Sequence, residues 1–303
     1  MGLLERALHT SSQSPRGLKG SVTNLSSRSR RSEASRSDRP EQGASVSPLP
    51  RPRGAAGTTA VLDIERLVAR GFVPPDGTTS RVANEFRVIK RALIANALGK
   101  TREPVPNGRR ILVTSSRPEE GKTFCAINLA LSMAAERDLG VLLVDADVAR
   151  PSVQRALRLA PGVGLMDLLE NPALDPASTV RPTNVEGLSI LTAGTVLENA
   201  NEWLASSAMN RLLETLSEQY PDHILIFDAP PLLHTTEARV LASAMGQTVL
   251  VVEAGVTPQG AIEEALGLID ACPVVGLLLN KADTREAWGY GDLDAYGYGR
   301  DGR

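Results

Sequence analysis

The chain has 303 residues and is almost neutral, with 33 Lys or Arg against 35 Asp or Glu and a formal net charge of −2. This balance argues against a general nucleic-acid-binding protein, which would carry a basic surplus. No apolar run approaches the roughly eighteen residues of a membrane span, and Gly2-Leu3-Leu4 is too short for the core of a signal peptide. We therefore expect a cytoplasmic protein.

Residues 1–59 differ in composition from the rest of the chain. They include twelve Ser, no aromatic residue, and ten Lys or Arg against four acids, so this segment carries about +6 and the remainder about −8. Such a composition cannot bury a hydrophobic core. We predict a disordered basic arm that is either merely solvated or attracted to an anionic membrane surface or an acidic partner.

Residues 60–108 are predicted to form a helical N-terminal segment. Val61–Val68 and Val82–Leu98 have helical patterns, and Pro74-Pro75-Asp76-Gly77 between them is a strong turn signal. The simplest interpretation of the second helix is an amphipathic helix laid on the core domain.

Residues 110–130 predict a strand, a phosphate-binding loop and a helix. Ile111-Leu112-Val113 is a short apolar strand, and Gly121-Lys122-Thr123 opens the helix that follows. In a P-loop, backbone N–H groups surround the phosphates, the Lys reaches the β and γ phosphates, and the Thr hydroxyl binds Mg²⁺. We therefore expect an ATP and Mg²⁺ site.

The loop departs from the full P-loop pattern at two positions. Ser116 stands where the pattern has its first Gly, and Glu119 occupies another position where phosphate loops often have Gly. A left-handed conformation at Glu119 would cost on the order of 1 to 2 kcal/mol. The loop residues expected at the nucleotide are Ser116, Glu120, Gly121, Lys122, Thr123 and Phe124.

Two further apolar strands end in aspartates. Val141–Val144 is followed by Asp145-Ala146-Asp147, and Ile224–Phe227 by Asp228. Ligands of open parallel sheets bind at the carboxyl ends of the strands, and a Mg-nucleotide site needs a cation for the phosphates and carboxylates for the metal and a general base. We predict Lys122, Asp145, Asp147 and Asp228 as catalytic residues, with Thr123, Asp145 and Asp228 as metal ligands.

The remaining elements alternate between helix and strand, which predicts an α/β fold with a doubly wound, mostly parallel sheet of P-loop NTPase type over residues 109–283. The predicted elements are Gly164–Leu169 (helix), Leu188–Leu191 (strand), Asn201–Tyr220 (helix), Thr248–Val252 (strand), Gln259–Ala271 (helix) and Val274–Leu279 (strand).

Residues 284–303 are predicted to form a flexible, glycine-rich tail. Three of the four tyrosines of the chain, Tyr290, Tyr296 and Tyr298, lie in its last fourteen residues. Tyrosines spaced by glycines in a flexible tail could reach a cleft of a neighbouring molecule.

Together, these motifs resemble the bacterial tyrosine kinases of the capsular exopolysaccharide family, and most closely the exosortase-associated tyrosine autokinases. The resemblance rests on P-E-E-G-K-T, on Val141–Pro151, on Ile226–Leu233 and on the tyrosine-rich tail. It implies an ATP- and Mg²⁺-dependent tyrosine autokinase with Asp145 as metal ligand and base, and with Tyr290, Tyr296 and Tyr298 as phosphoacceptors. It also implies recruitment to the inner face of the cytoplasmic membrane by a membrane-embedded polysaccharide chain-length regulator. Asn280, at the end of the last strand, matches the base-contacting Asn of related ATPases.

The resemblance also implies self-association into rings through the second helix. Asn84, Arg87 and Lys90 occupy the positions of the family's Glu-x-x-Arg-x-x-Arg segment. Asn84 replaces the Glu and Lys90 the second Arg, and Lys does not reproduce the bidentate fork of Arg.

Two other functions are compatible with these residues. A partition-type ATPase shares the fold, but Arg117 and Pro118 replace the Lys and Gly expected early in its loop. If Ser116, Glu119 and Ala149 abolish catalysis, the chain would instead be a non-catalytic nucleotide-binding regulator of a polysaccharide export machine. Many relatives have Arg at the position of Ala149.

Overall fold

The computed structural model describes residues 2–4, 59–196 and 200–282, and side chains from residue 59 onward. Its strands belong to one eight-stranded sheet. They are β1 (Gly2–Leu4), β2 (Arg110–Ser115), β3 (Gly140–Asp145), β4 (Arg181–Pro182), β5 (Leu188–Leu191), β6 (His223–Asp228), β7 (Gln247–Glu253) and β8 (Val274–Asn280).

The strand order is β1-β8-β7-β2-β6-β3-β5-β4. The six central strands are parallel, and β1 and β4 pair antiparallel at the two edges. The predicted doubly wound, mostly parallel sheet is therefore confirmed. In this order β2 lies beside β6 and β6 beside β3, so the three strands expected to carry the site are neighbours.

Helices flank the sheet. They are α1 (Ile64–Ala69), α2 (Arg81–Ala97), α3 (Lys122–Ala134), α4 (Val153–Leu157), α5 (Leu165–Glu170), α6 (Pro176–Thr179), α7 (Ala200–Leu204), α8 (Ser207–Gln219), α9 (Glu237–Ser243) and α10 (Gln259–Gly267). Among the described helices, none combines the length and apolar character that a membrane crossing requires.

Two hydrophobic clusters cover the two faces of the sheet. Ile111 and Val113 of β2 belong to the cluster that contains α1, α2 and α3, and Leu112 belongs to the other. This alternation follows from the period of two in a strand, and both faces are buried, as is usual for parallel sheets.

Several predicted boundaries were wrong. The region predicted as one helix, Asn201–Tyr220, contains two helices, because Ser206 has an extended backbone and its Oγ accepts a hydrogen bond from Ala208 N at 3.1 Å. A serine in this position begins a new helix. The helix predicted over Gln259–Ala271 ends at Gly267, and α4, α6, α9 and β4 were not predicted.

The N-terminus also differs from its prediction in part. Gly2–Leu4 pairs antiparallel with Leu277–Leu279 of β8, whereas the sequence predicts a disordered arm from residue 1. Because β8 would otherwise form an open edge, this short strand supplies partners for its backbone groups. Residues 5–58 of the arm lie outside the described residues.

Helix α2 is tied to the core by polar as well as apolar contacts. Lys90 is buried, and its Nζ donates to Ser132 O at 2.5 Å and lies 2.7 Å from Glu136 Oε1. Buried Gln247 of β7 donates to Leu93 O at 3.0 Å. Lys90, one of the three residues matched to the ring-forming segment, is thus engaged within its own chain.

Candidate functional site

The loop between β2 and α3 has the backbone conformation of a phosphate-binding loop. Gly121 has a left-handed backbone with φ of 94°, and Glu119 one with φ of 69°. Gly121 caps α3 without a side-chain hydrogen bond, so first-turn N–H groups of this thirteen-residue helix are available to an anion. Glu119 thus adopts the left-handed conformation, which is costly for a residue other than glycine.

The end of β8 closes over this loop. Asn280 Nδ2 donates to Glu120 O at 2.8 Å, and Lys281 Nζ donates to Glu119 O at 2.8 Å. A Cβ on Gly121 would collide with Asn280 Nδ2, so a glycine is required there by close approach as well as by φ. Asn280, predicted as a base contact, here holds the loop backbone.

The side chain of Glu120 fastens the loop from within. It is buried, its Oε2 accepts from Arg117 N at 2.9 Å, and its Oε1 accepts from Thr257 Oγ1 at 2.5 Å. Glu120 was predicted to contact the nucleotide, but both of its side-chain oxygens are engaged in these hydrogen bonds. Only its backbone can therefore face a phosphate. Sequence reasoning missed Thr257 and Lys281, because their partners are 137 and 162 residues away along the chain and no local pattern marks such pairs.

Lys122 is surrounded by the predicted acids. Its Nζ lies 2.5 Å from Asp147 Oδ2 and 4.0 Å from Asp228 Oδ1. Burial lowers the pKa of Lys122, but the Asp228 and Asp147 carboxylates more than offset this, and the pKa is raised. The lysine is therefore fully charged and held by Asp147.

Asp145 and Asp228 face each other on adjacent strands. They are register partners in the β3–β6 pairing and are fully buried. Asp228 Oδ2 accepts from Thr123 Oγ1 at 2.6 Å, and Asp145 Oδ2 accepts from Val153 N at 3.0 Å. Burial, and then the charge of Asp228, raise the pKa of Asp145 to about 8, and burial raises that of Asp228 to about 6.

The donor set fits a divalent cation. Asp145 Oδ1 and Asp228 Oδ1 are buried and have no hydrogen-bond partner among the described residues, and Lys122 is one cation among three carboxylates. Unsatisfied buried carboxylate oxygens are expensive unless a cation supplies the missing interaction. The described residues contain no group of three His, Cys, Asp or Glu arranged to hold a metal. Mg²⁺ usually binds through one or two carboxylates with water and phosphate oxygens, and Thr123 Oγ1 lies beside Asp228.

The remaining predicted residues have different surroundings. Ser116 is buried, with an unpartnered Oγ within the described part of the chain. The ring of Phe124 packs against Phe72, with ring centroids 5.0 Å apart, so its side chain belongs to the core. Tyr290, Tyr296 and Tyr298 lie outside the described residues.

Comparison with known proteins agrees with this geometry. The family model described as "ParA: NUBPL iron-transfer P-loop NTPase" matches residues 108–264. Fold, loop and family model therefore define a P-loop NTPase of the ParA type.

Individual relatives narrow this class. Tyrosine-protein kinase YwqD of Bacillus subtilis is 32% identical over 60% of this chain and 77% of its own length. The succinoglycan biosynthesis transport protein ExoP of Rhizobium meliloti is 32% identical over 72% of this chain but only 27% of its own length. The solved BceF tyrosine kinase domain is 27% identical, with a TM-score of 0.55, over 74% of this chain and 91% of that domain. The chain belongs to the bacterial tyrosine-protein kinases of the capsular exopolysaccharide family, as the sequence motifs predicted.

Proposed function

We propose that the chain is an ATP-dependent tyrosine autokinase that regulates exopolysaccharide synthesis or export, and that one copy phosphorylates Tyr290, Tyr296 and Tyr298 of another. The observation that carries this proposal is the placement of Lys122, Thr123 and three aspartates at the carboxyl ends of adjacent strands. A lysine for phosphate, a hydroxyl and carboxylates for a metal, and a spare carboxylate for a proton are the groups that phosphoryl transfer requires.

Each residue has a role that follows from its surroundings. When ATP binds, Lys122 leaves Asp147 and contacts the β and γ phosphates instead. The N–H groups of the loop and of the first helical turn hold the same phosphates. Thr123, Asp145 and Asp228 would hold Mg²⁺, which neutralises phosphate charge when bound. Asp228 also orients the hydroxyl of Thr123, through the 2.6 Å hydrogen bond between them.

Asp145 is the proposed acceptor of the tyrosine proton, and Asp147 is its nearest substitute. A phenol has an ordinary pKa of about 10, and burial with the charge of Asp228 raises the pKa of Asp145 to about 8. Because Mg²⁺ beside Asp145 and Asp228 would offset their mutual repulsion, Asp145 would be ionised when the metal is bound and could then accept the phenol proton.

The tail is the proposed acceptor because the fourth tyrosine is inaccessible. Tyr220, the tyrosine within the described residues, has a relative exposure of 1%. Burial raises its pKa to about 12. A phosphoryl group could not reach its hydroxyl without unfolding of the surrounding core.

The partner we propose is a membrane-embedded polysaccharide chain-length regulator that recruits this cytoplasmic protein to the inner face of the membrane. Support comes from ExoP, which is named a transport protein for succinoglycan biosynthesis and of which this chain matches only a quarter. Self-association is proposed as the means by which one copy reaches the tail of another.

Mixing two variants tests transfer between copies. One protein carries Lys122→Ala with an intact tail, and the other an intact site with its three tail tyrosines changed to Phe. With ATP and Mg²⁺, mass spectrometry should find phosphotyrosine on the Lys122→Ala tail only when both proteins are present. Active wild-type protein with no phosphate on that tail would contradict transfer between copies, and no tyrosine phosphorylation by wild type would leave a nucleotide-binding regulator as the function.

A further inference from the structure

A cleft of about 570 Å³ lies beside the proposed nucleotide site. One wall is α4 with the turn before it, and the opposite wall is the segment that follows β5. The first wall includes Pro151, Arg155 and Arg158, and the second includes Thr195 and Val196. Neither the P-loop nor the three aspartates line it.

The α4 wall is joined directly to the catalytic acids. Val153 N donates to Asp145 Oδ2 at 3.0 Å, and Arg150 N donates to Asp147 Oδ1 at 3.3 Å. Pro151 of the cleft therefore stands between two residues that contact the proposed catalytic carboxylates. A molecule in this cleft would lie next to the phosphoryl-transfer site.

The opposite wall is fixed by Asp167. Its carboxylate accepts hydrogen bonds from Gly164 N at 2.8 Å, Thr195 N at 3.1 Å and Thr195 Oγ1 at 2.6 Å. These donors engage both oxygens of Asp167. The wall is thus held in place before any ligand binds.

The cleft is strongly basic. Arg155 and Arg158 line it with exposed side chains, and the guanidinium of Arg181 lies against Gly162. Within the described residues, none of these three arginines pairs with a carboxylate.

The cleft also has apolar surface. Leu159 and Pro151 form part of its lining, and Val196 at its rim is 68% exposed. Val163, next to Gly162, is 46% exposed. Arginines that have no carboxylate partner among the described residues, beside exposed aliphatic side chains, suit a peptide that carries both acidic and bulky apolar residues.

The tail has this composition. Residues 288–299 read WGYGDLDAYGYG, with two acids, one Leu, four aromatic residues and no base. Asp292 lies two residues after Tyr290, and Asp294 two residues before Tyr296, a distance of at most about 7 Å in an extended chain. An aspartate held by the arginines would therefore fix the position of a neighbouring tyrosine to within about 7 Å along the peptide.

We propose that this cleft binds residues 288–299 of another copy, with Asp292 and Asp294 against Arg155 and Arg158, and so selects the tyrosines to be phosphorylated. This inference rests on the proposed function. It assigns substrate specificity to the cleft, and the substrate class is an acidic peptide that carries tyrosine.

Binding can be measured without catalysis. A fluorescent peptide of residues 288–299 with Phe for each Tyr is titrated with the full chain. Arg155→Glu with Arg158→Glu should weaken binding about tenfold, since each exposed charge pair contributes a factor of a few. Arg239→Glu, an exposed arginine of α9 outside the cleft, is the matched control and should bind like wild type. Equal affinity in all three proteins would overturn the proposal.

Charge exchange makes the test specific. A peptide with Asp292→Lys and Asp294→Lys should lose affinity for wild type and regain it with the double Glu variant. If the double Glu variant does not bind the charge-exchanged peptide more tightly than wild type does, its loss of affinity comes from altered folding. That result would overturn direct pairing of the peptide aspartates with Arg155 and Arg158.

Kinetics separate this inference from the proposed function. With the tyrosine-containing peptide as substrate, the double Glu variant should show a KM for peptide about tenfold higher, with unchanged kcat and unchanged KM for ATP. No phosphorylation by wild type would refute the kinase function and leave the binding test standing. If both proteins phosphorylate the peptide with the same KM for peptide, the proposal that the cleft binds the peptide is wrong, and the kinase function stands.

Discussion

Lys122 Nζ and Asp147 Oδ2 are 2.5 Å apart, so the lysine proposed to bind the phosphates of ATP is held by an acid that follows β3, a strand separated from β2 by β6. The pair is largely buried, with side-chain exposures of 11% and 6%. ATP must therefore displace Asp147 from the lysine and also approach its negative charge.

Asp147→Asn should consequently bind ATP more tightly, by about threefold to tenfold, because a pair contribution on the order of 1 kcal/mol no longer opposes binding. Phosphotyrosine formation should fall to an intermediate level, because a second candidate base is lost. Calorimetric titration of Mg²⁺-free ATP measures the affinity. Weaker ATP binding in this variant would show that Asp147 supports the nucleotide rather than competing with it.

Asp145→Asn should lower kinase activity and at the same time raise the stability of the fold. Activity should fall at least a hundredfold, since a metal ligand and base is lost. Without nucleotide and Mg²⁺, however, Tm should rise by about 2 to 4 °C, because a buried carboxylate with one unsatisfied oxygen is replaced by a neutral group. Thermal unfolding in EDTA tests this, and a lower Tm than wild type would contradict it.

Asp228→Asn should also suppress phosphorylation, because Asp228 both orients Thr123 and faces the proposed metal. A Thr123→Ser variant keeps the hydroxyl and serves as its matched control. Full activity in both Asp145→Asn and Asp228→Asn would mean that the acids at the strand ends are not the catalytic site.

Thr257→Val should loosen the P-loop without touching the nucleotide directly. It removes the hydroxyl that donates to Glu120 Oε1 and accepts from Glu253 N at 3.0 Å. We expect ATP to bind about threefold to tenfold more weakly, as for the loss of one hydrogen bond to a charged group. Thr257→Ser should restore wild-type affinity, and equal affinities in Thr257→Val and Thr257→Ser would exclude a positioning role.

The central part of the fold and site was predictable because its signals are local. Apolar runs fix β2, β3 and β6. Asp145 and Asp228 end β3 and β6, and Lys122 begins the helix that follows β2, so the three meet because these parallel strands end at one edge of the sheet. Asp147 was predicted for chemistry, but its pairing with Lys122 depends on the conformation of a loop and could not be read from spacing.

Other features depend on contacts distant in the chain. Glu120 and Thr257 are 137 residues apart, and the burial of Lys90 depends on Ser132 of α3 and on Glu136 just beyond the end of that helix. The break between α7 and α8 did have a local signal in Ser206, which was hidden within a continuous helical pattern. Long-range contacts of this kind have no sequence period from which to predict them.

The most direct test of the whole account is transfer of the γ-phosphate of labelled ATP, with Mg²⁺, to the purified full chain. Wild type and Lys100→Ala, which changes an exposed lysine outside the site, should both accumulate phosphotyrosine on Tyr290, Tyr296 and Tyr298. Lys122→Ala should accumulate none, because the cation that compensates the transferred phosphate is gone, and each tenfold loss in rate corresponds to about 1.4 kcal/mol. Undiminished phosphotyrosine in Lys122→Ala would contradict the account.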